Sequence, residues 1–167
     1  MTLTYHIFTE ADWPDVWATL RPTFQDGESY PCDLDISEAD ARAYWLAPTH
    51  TVIVARDANG TFVGSYYVRA DQGGPGDHIC NCGYVIAPAQ RGAGHALALC
   101  LHSQSLARNR GFRGMKFNLV VATNDAAVKS WKRAGLEIVG VVPEAFRSRK
   151  HGFVDAYIMY KDLTRTS

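Results

Sequence analysis

Arg91-Gly92-Ala93-Gly94-His95-Ala96 constrains this chain more than any other stretch. An apolar run, Ile79–Ile86, precedes it and reads as a strand. A helical pattern opens at Gly94 and runs through Arg110. A strand, a glycine-rich turn and a helix in that order build an anion site. The unpaired N–H groups of the first helical turn and the positive end of the helix dipole both face whatever sits there. Gly92 and Gly94 let the backbone approach a bulky phosphate with no Cβ in the way. A Walker A loop is excluded, because His95-Ala96 stands where Lys-Ser/Thr is needed. A dinucleotide fingerprint fits poorly. Its third glycine is replaced by Ala96, and the acidic residue expected about 20 residues on is Lys116. Taken alone, such a turn also occurs as a plain β–α connection without a ligand.

The 167 residues suit one domain, 1–167, with a real core. With 47% hydrophobic and 20% charged residues, a globular fold is expected. Seventeen basic and 17 acidic residues cancel, so nothing draws the chain globally towards nucleic acid or an acidic membrane. No apolar run approaches the roughly 20 residues that span a bilayer. The start, Met1-Thr2-Leu3-Thr4-Tyr5-His6, lacks the basic and apolar regions of a signal peptide. Cys32, Cys80, Cys82 and Cys100 read as reduced thiols of a cytoplasmic protein. Cys80 and Cys82 share one side of a strand as small apolar groups. With His78 they make a weak metal motif, but no second ligand pair lies at finger-like spacing, so no metal is expected.

Tyr5–Phe8 reads as a first strand. Thr9 caps a helix over Glu10–Leu20, with Trp13, Val16, Trp17 and Leu20 at helical spacing. Arg21–Ile36, with Pro22, Gly27 and Pro31, reads as irregular. Ser37 and Asp40 resemble a capping box for a helix through Leu46. Thr51–Arg56 and Thr61–Ala70 flank Asp57-Ala58-Asn59-Gly60, a hairpin signal. Gln72–Asp77 is a loop. The helix from Gly94 stops before Gly111. Lys116–Ala122 is a strand, and Thr123 caps a helix over Asn124–Arg133 that stops at Gly135. Leu136–Val142 and Val154–Tyr160 complete the order β-α-α-β-β-β-α-β-α-β-β. That is an α/β architecture with helices on both faces of a mixed sheet.

The order Arg-x-x-Gly-x-Ala resembles the pyrophosphate loop of the GCN5-related N-acetyltransferases (GNAT), which bind acetyl-coenzyme A. The element order is theirs along the whole chain. Further segments match: His78–Tyr84, Phe117-Asn118-Leu119-Val120, Thr123–Ala127, and Trp131 followed by Ala134-Gly135-Leu136. Asn81, Asn118 and Asn124 together resemble the branch that includes a yeast azetidine-2-carboxylate N-acetyltransferase. The resemblance implies the GNAT fold: about seven strands in a mixed sheet, flanked by about four helices. It implies acetyl-coenzyme A as cosubstrate along Val85, Ile86, Arg91, Gly92, Ala93, Gly94, His95, Ala96, Asn124 and Trp131. It places Asn81 and Asn118 against the acceptor and gives Asn124 a part in polarising the acetyl carbonyl. Relatives are often dimers, so a homodimer is one arrangement it implies.

The chemistry asks for an anchored cofactor, a neutral amine, donors at the carbonyl oxygen and a departing thiolate. An amide such as Asn124 and a backbone N–H such as that of Leu119 suit the oxyanion. Many family members carry a tyrosine where this chain has Trp131, and its hydroxyl protonates the leaving sulfur. An indole N–H is too weak an acid for that, and a thiolate of pKa about 8.5 leaves without much help. Trp131 therefore reads as a wall for the pantetheine arm or as core. Glu28, Asp77, His78 and Asp155 are candidate bases, each equally readable as a surface or structural group. An α-amino group of pKa about 7.7–8.0 needs no strong base. The loop Phe24–Pro31, with Glu28 and Tyr30, is expected over the acceptor pocket. The reading is an acetyl-coenzyme A-dependent N-acetyltransferase for a small, amino-acid-like amine, working by direct transfer through a tetrahedral intermediate. Its rivals are a lysine or N-terminal protein acetyltransferase and a non-catalytic acyl-coenzyme A binding module.

Overall fold

A computed structural model describes residues 2–165. Met1, Thr166 and Ser167, the ends of the expected domain, lie outside the described residues, as does the first residue of the signal-peptide reading. Seven strands form one sheet: β1 (Thr4–Ile7), β2 (Thr51–Arg56), β3 (Phe62–Ala70), β4 (Ile79–Ile86), β5 (Gly114–Val121), β6 (Glu137–Ser148) and β7 (Gly152–Asp162). Their spatial order is β1-β2-β3-β4-β5-β7-β6. Every neighbouring pair is antiparallel except β4 and β5. Helices α1 (Trp13–Asp26) and α2 (Glu38–Trp45) cover one face, α3 (His95–Asn109) and α4 (Asp125–Arg133) the other.

The two faces bury separate cores. Trp13, Val16, Leu20 and Phe24 of α1 and Trp45 of α2 pack on Val52, Val54, Tyr67 and Val85. Leu99 and Cys100 of α3 and Trp131 of α4 pack on Cys80, Cys82, Met115 and Phe117. Alternation along the strands follows from the pleat. On β4, Cys80 and Cys82 face α3 and α4, and Val85 faces α1 and α2. Asn81 and Gly83 therefore share the α1/α2 face. All four cysteines are free thiols.

Three local expectations are corrected. The segment read as irregular from Arg21 stays helical through Pro22 to Asp26, where Gly27 ends α1 at φ 68°. A proline inside a helix costs about 3 kcal/mol. The complete burial of Phe24 and Leu20 offsets it. Asn124, not Thr123, caps α4, because its Oδ1 accepts from the Ala127 N–H at 3.2 Å. The last two strands are longer than expected. They run to Ser148 and start at Gly152 because register shifts absorb Pro143 and Glu144, the latter at φ 51°.

Candidate active site

The parallel pair β4–β5 keeps register for only two partners, Ile79 with Gly114 and Cys80 with Met115. Beyond them the strands part towards their C-terminal ends, where ligands enter open α/β sheets. The gap lies in a cleft of about 960 Å³. Asn81 stands at the vertex. Its Nδ2 donates to the Lys116 carbonyl at 2.9 Å, a side-chain bond in place of the next ladder bond. Among the described residues its Oδ1 receives no hydrogen bond and Asn81 lines the cleft. From Asn81 to Ile86, five residues of extended strand span about 17 Å.

At the far end, Arg91, Gly92, Gly94, His95 and Ala96 line the cleft and Ala93 does not. Gly94 caps α3 at φ 82°, and Gly92 has the same φ. An L residue is strained there. A Cβ at either glycine meets nothing within 4 Å, so the space belongs to the cleft. Arg91 Nη2 donates to Thr23 Oγ1 at 3.3 Å. Lys150 also lines the cleft; Arg108 and Arg110 do not, and they donate to the Leu163 carbonyl and Thr51 Oγ1 instead.

The β5 side is shaped by a bulge. Register with β7 jumps between Phe117 and Val120, so Asn118 and Leu119 have no register partner there. Both line the cleft. Asn118 Nδ2 donates to Asp71 Oδ1 at 2.6 Å, and Lys116 Nζ lies 2.6 Å from Asp71 Oδ2. Burial pushes the Asp71 carboxyl up, but Lys116 and Asn118 outweigh it and hold it below its ordinary value. Asn124 opens α4 beside this edge with its Oδ1 engaged in the cap. Trp131 lines the cleft with its ring tilted against Tyr84 at 4.8 Å and edge-on to Phe117 at 5.3 Å. It is wall and core at once.

After α1, Glu28–Pro31 line the other side of the cleft, whereas Phe24, expected in this loop, is buried within α1. Tyr30 donates its hydroxyl to the Tyr84 carbonyl at 2.7 Å. Glu28 is a latch. Its carboxylate accepts from Ser148 Oγ at 2.7 Å and the Lys150 N–H at 3.0 Å, tying the β6–β7 hairpin tip to the loop. Desolvation opposes the charge of Glu28, and these bonds with Lys150 and His151 hold its carboxyl below the usual range. The other base candidates lie elsewhere. Asp77 and His78 precede β4 at the closed end of the parallel pair, and Asp155 accepts from the Glu144 N–H. Tyr44, Tyr67 and Arg69, which line the α1/α2 side, were missed in the sequence. Tyr67 hides in an apolar strand, and only its pairing shows why Gly83 is small: a Cβ there would sit 2.5 Å from the Tyr67 ring.

A splayed parallel pair with a glycine turn at one end and amides at its vertex fits an acyl-coenzyme A. The profile of the acetyltransferase (GNAT) family matches residues 13–136. The chain belongs to that family. N-acetyltransferase aca1 of Schizosaccharomyces pombe is 28% identical over 148 residues, covering 79% of this chain and 71% of that protein. A GCN5-related N-acetyltransferase from Kribbella flavida is 36% identical, with TM-score 0.90 over 96% of this chain and 97% of that one. A phosphinothricin acetyltransferase from Sinorhizobium meliloti, solved in complex with AcCoA, shares the fold. It has TM-score 0.83 and 21% identity over 97% of this chain and 89% of its own. The chain is therefore an N-acetyltransferase with acetyl-coenzyme A as donor. Among the described residues of the acetyltransferase, no group of His, Cys, Asp and Glu is placed to hold a metal, and no helix is long and apolar enough to cross a membrane.

Proposed function

We propose that this acetyltransferase, one domain over its whole length, acetylates the amino group of a small, amino-acid-like molecule by direct transfer. The observation that carries the reading is the cleft that runs from the Gly92–Gly94 turn along β4 to Asn81 and into a chamber walled by Tyr30, Tyr44 and Tyr67. The hairpin tip is tied to Glu28, and its Lys150 and His151 line the cleft and narrow the room beside the chamber. That favours a small acceptor over a protein.

Each residue then has a task. Arg91–Ala96 and the N-terminus of α3 hold the pyrophosphate. Val85, Ile86 and Trp131 flank the pantetheine arm. The bound donor supplies an electrophilic thioester carbonyl. The Leu119 N–H, freed by the bulge, and Asn124 Nδ2, left over after the cap, stabilise the developing oxyanion. Asn81 and Asn118 hold the acceptor, with Asn118 aimed by Asp71. Tyr30 is a wall, since its hydroxyl is taken, and Glu28 holds the hairpin. The amine reacts from its neutral fraction and its proton leaves to solvent, so no side chain is assigned as base.

The test is a thermal melt with acetyl-coenzyme A, then thiol release against a panel of amines. A ligand bound by the native state alone raises the midpoint by mass action. A melt that saturating acetyl-coenzyme A leaves in place would end this reading. A shift without thiol release from any small amine would point to the binding-module or protein-acetyltransferase alternatives.

A further inference from the structure

Arg69 stands in register with Asn81 across the antiparallel β3–β4 pair, so their side chains leave neighbouring strands on the same face. That face belongs to the acceptor chamber. Tyr67, two residues before, lies on it, and Arg69, Tyr44 and Tyr67 all line the cleft. Arg69 Nη1 donates to the carbonyls of Ala70 at 2.9 Å and Asp71 at 3.3 Å. A guanidinium has five N–H donors in a planar fork, so these bonds leave Nε and Nη2 uncommitted.

Among the described residues no carboxylate pairs with Arg69. The acid beside it in sequence, Asp71, is committed to Lys116 and Asn118, each at 2.6 Å. The charge of Arg69 reaches His50, stacked on Tyr67: burial lowers the His50 pKa, the bond to the Trp45 carbonyl opposes this, and Arg69 adds to the lowering. The other cations of the cleft are placed differently. Lys150 lies 3.7 Å from Asp26, Arg91 sits at the glycine turn, and Arg133 ends α4 on the opposite face. A permanent charge without an acid, half-buried among tyrosines, is a receptor for an anion. A carboxylate matches its fork bidentately.

We infer that Arg69 binds the carboxylate of the acceptor, so that this enzyme selects amines that carry one. With the carboxylate on Arg69, the amine lies beside the open Oδ1 of Asn81, at the vertex where the arm of the donor ends. Arg69 is a specificity residue and takes no part in the bond changes. The inference rests on the small-amine reading.

The experiment measures thiol release at saturating acetyl-coenzyme A for wild type, Arg69→Gln and Arg69→Lys. Substrates are L-methionine, L-leucine and L-phenylalanine, each paired with its carboxamide. The carboxamide has the less basic amine and hence more neutral nucleophile, so a site blind to the carboxylate favours the carboxamide. Wild type is expected to favour the acids by about tenfold or more in kcat/KM. Arg69→Gln should raise KM for the acids about 10- to 100-fold, the range for a lost charge-assisted hydrogen bond. It should leave kcat, the carboxamide KM and the acetyl-coenzyme A melt shift nearly unchanged. Arg69→Lys should recover part of the preference. Robust wild-type turnover with no preference for acids would overturn the role of Arg69 and leave the small-amine reading standing. So would an Arg69→Gln variant that loses acids and carboxamides alike. Absence of turnover with every small amine would overturn both.

Discussion

Asn81→Ala tests whether the vertex of the cleft is held by one side chain. The ladder between β4 and β5 ends at Cys80 and Met115, and Asn81 Nδ2 adds a 2.9 Å bond to the Lys116 carbonyl beyond it. Removing a hydrogen bond of this kind costs about 0.5–1.5 kcal/mol, and more when the acceptor left behind is buried. Asn81 itself lines the open cleft, so about 1–2 kcal/mol is expected. For a chain of 167 residues, each kcal/mol lowers the melting temperature by about 2–4 °C, so the fall should be about 2–8 °C. The acceptor kcat/KM should fall about 10- to 100-fold, because the same amide presents Oδ1 to the amine. Acetyl-coenzyme A should still shift the melt, because the glycine turn lies beyond the far end of β4 and is untouched. Asn81→Asp sharpens the test. It points a carboxylate oxygen at the Lys116 carbonyl, so at neutral pH it should be less stable than the alanine variant. The protonated form can donate to that carbonyl. The folded-state pKa of the introduced carboxyl is therefore raised, and stability returns as pH falls through it. Thermal unfolding by circular dichroism at several pH values, with steady-state thiol release, reads both effects. An unchanged midpoint for Asn81→Ala would refute the tie. A lowered midpoint with intact acceptor kcat/KM would refute the contact with the amine.

Four further outcomes follow from the same geometry. Asn124→Ser keeps an oxygen for the α4 cap but loses the amide donor, so the midpoint should hold while kcat falls roughly 10²- to 10³-fold; an unchanged kcat removes Asn124 from the oxyanion site. Trp131→Phe keeps an apolar ring against Tyr84 and Phe117 and should retain most of kcat, and a collapse in a folded variant would show that the indole N–H contributes to the reaction. Gly94→Asp should cost about 1–2 kcal/mol at φ 82° and abolish the melt shift with acetyl-coenzyme A, because its charge would face the pyrophosphate; a preserved shift would move the phosphate site elsewhere. The Asp71 pKa is lowered on folding, so its pairing stabilises the fold above the unfolded value near 3.9 and is lost as pH falls through the folded value. Asp71→Asn should therefore lose stability at neutral pH and show a shallower acid limb of midpoint against pH, and parallel curves for the two proteins would rule that out.

The glycine turn, the element order and the strand Ile79–Ile86 were legible because they rest on local chemistry. Glycine at a positive φ, apolar periodicity and hairpin signals act within a few residues, and the sequence records them directly. The same local rules failed at Pro22, where burial of Phe24 overrode helix breaking, and at Thr123, where the neighbouring asparagine took the cap. The asparagines were visible as polar residues in strands, yet their partners were not. Asn81 bonds a carbonyl 35 positions away and Asn118 a carboxylate 47 positions away. Glu28 shows the same limit: it read as a candidate base in a loop over the acceptor pocket, and its bonds to Ser148 and Lys150 appear only once the sheet is assembled. Arg69 gave no signal at all, because an arginine in a strand is ordinary until its register with Asn81 and the commitment of Asp71 to Lys116 leave it without a carboxylate partner among the described residues. Sequence by itself determined which segments become strands and helices and where a glycine turn opens a helix. Which side chains line the cleft together was decided by tertiary structure, because strand pairing joins residues whose separation along the chain carries no energetic record of their contact.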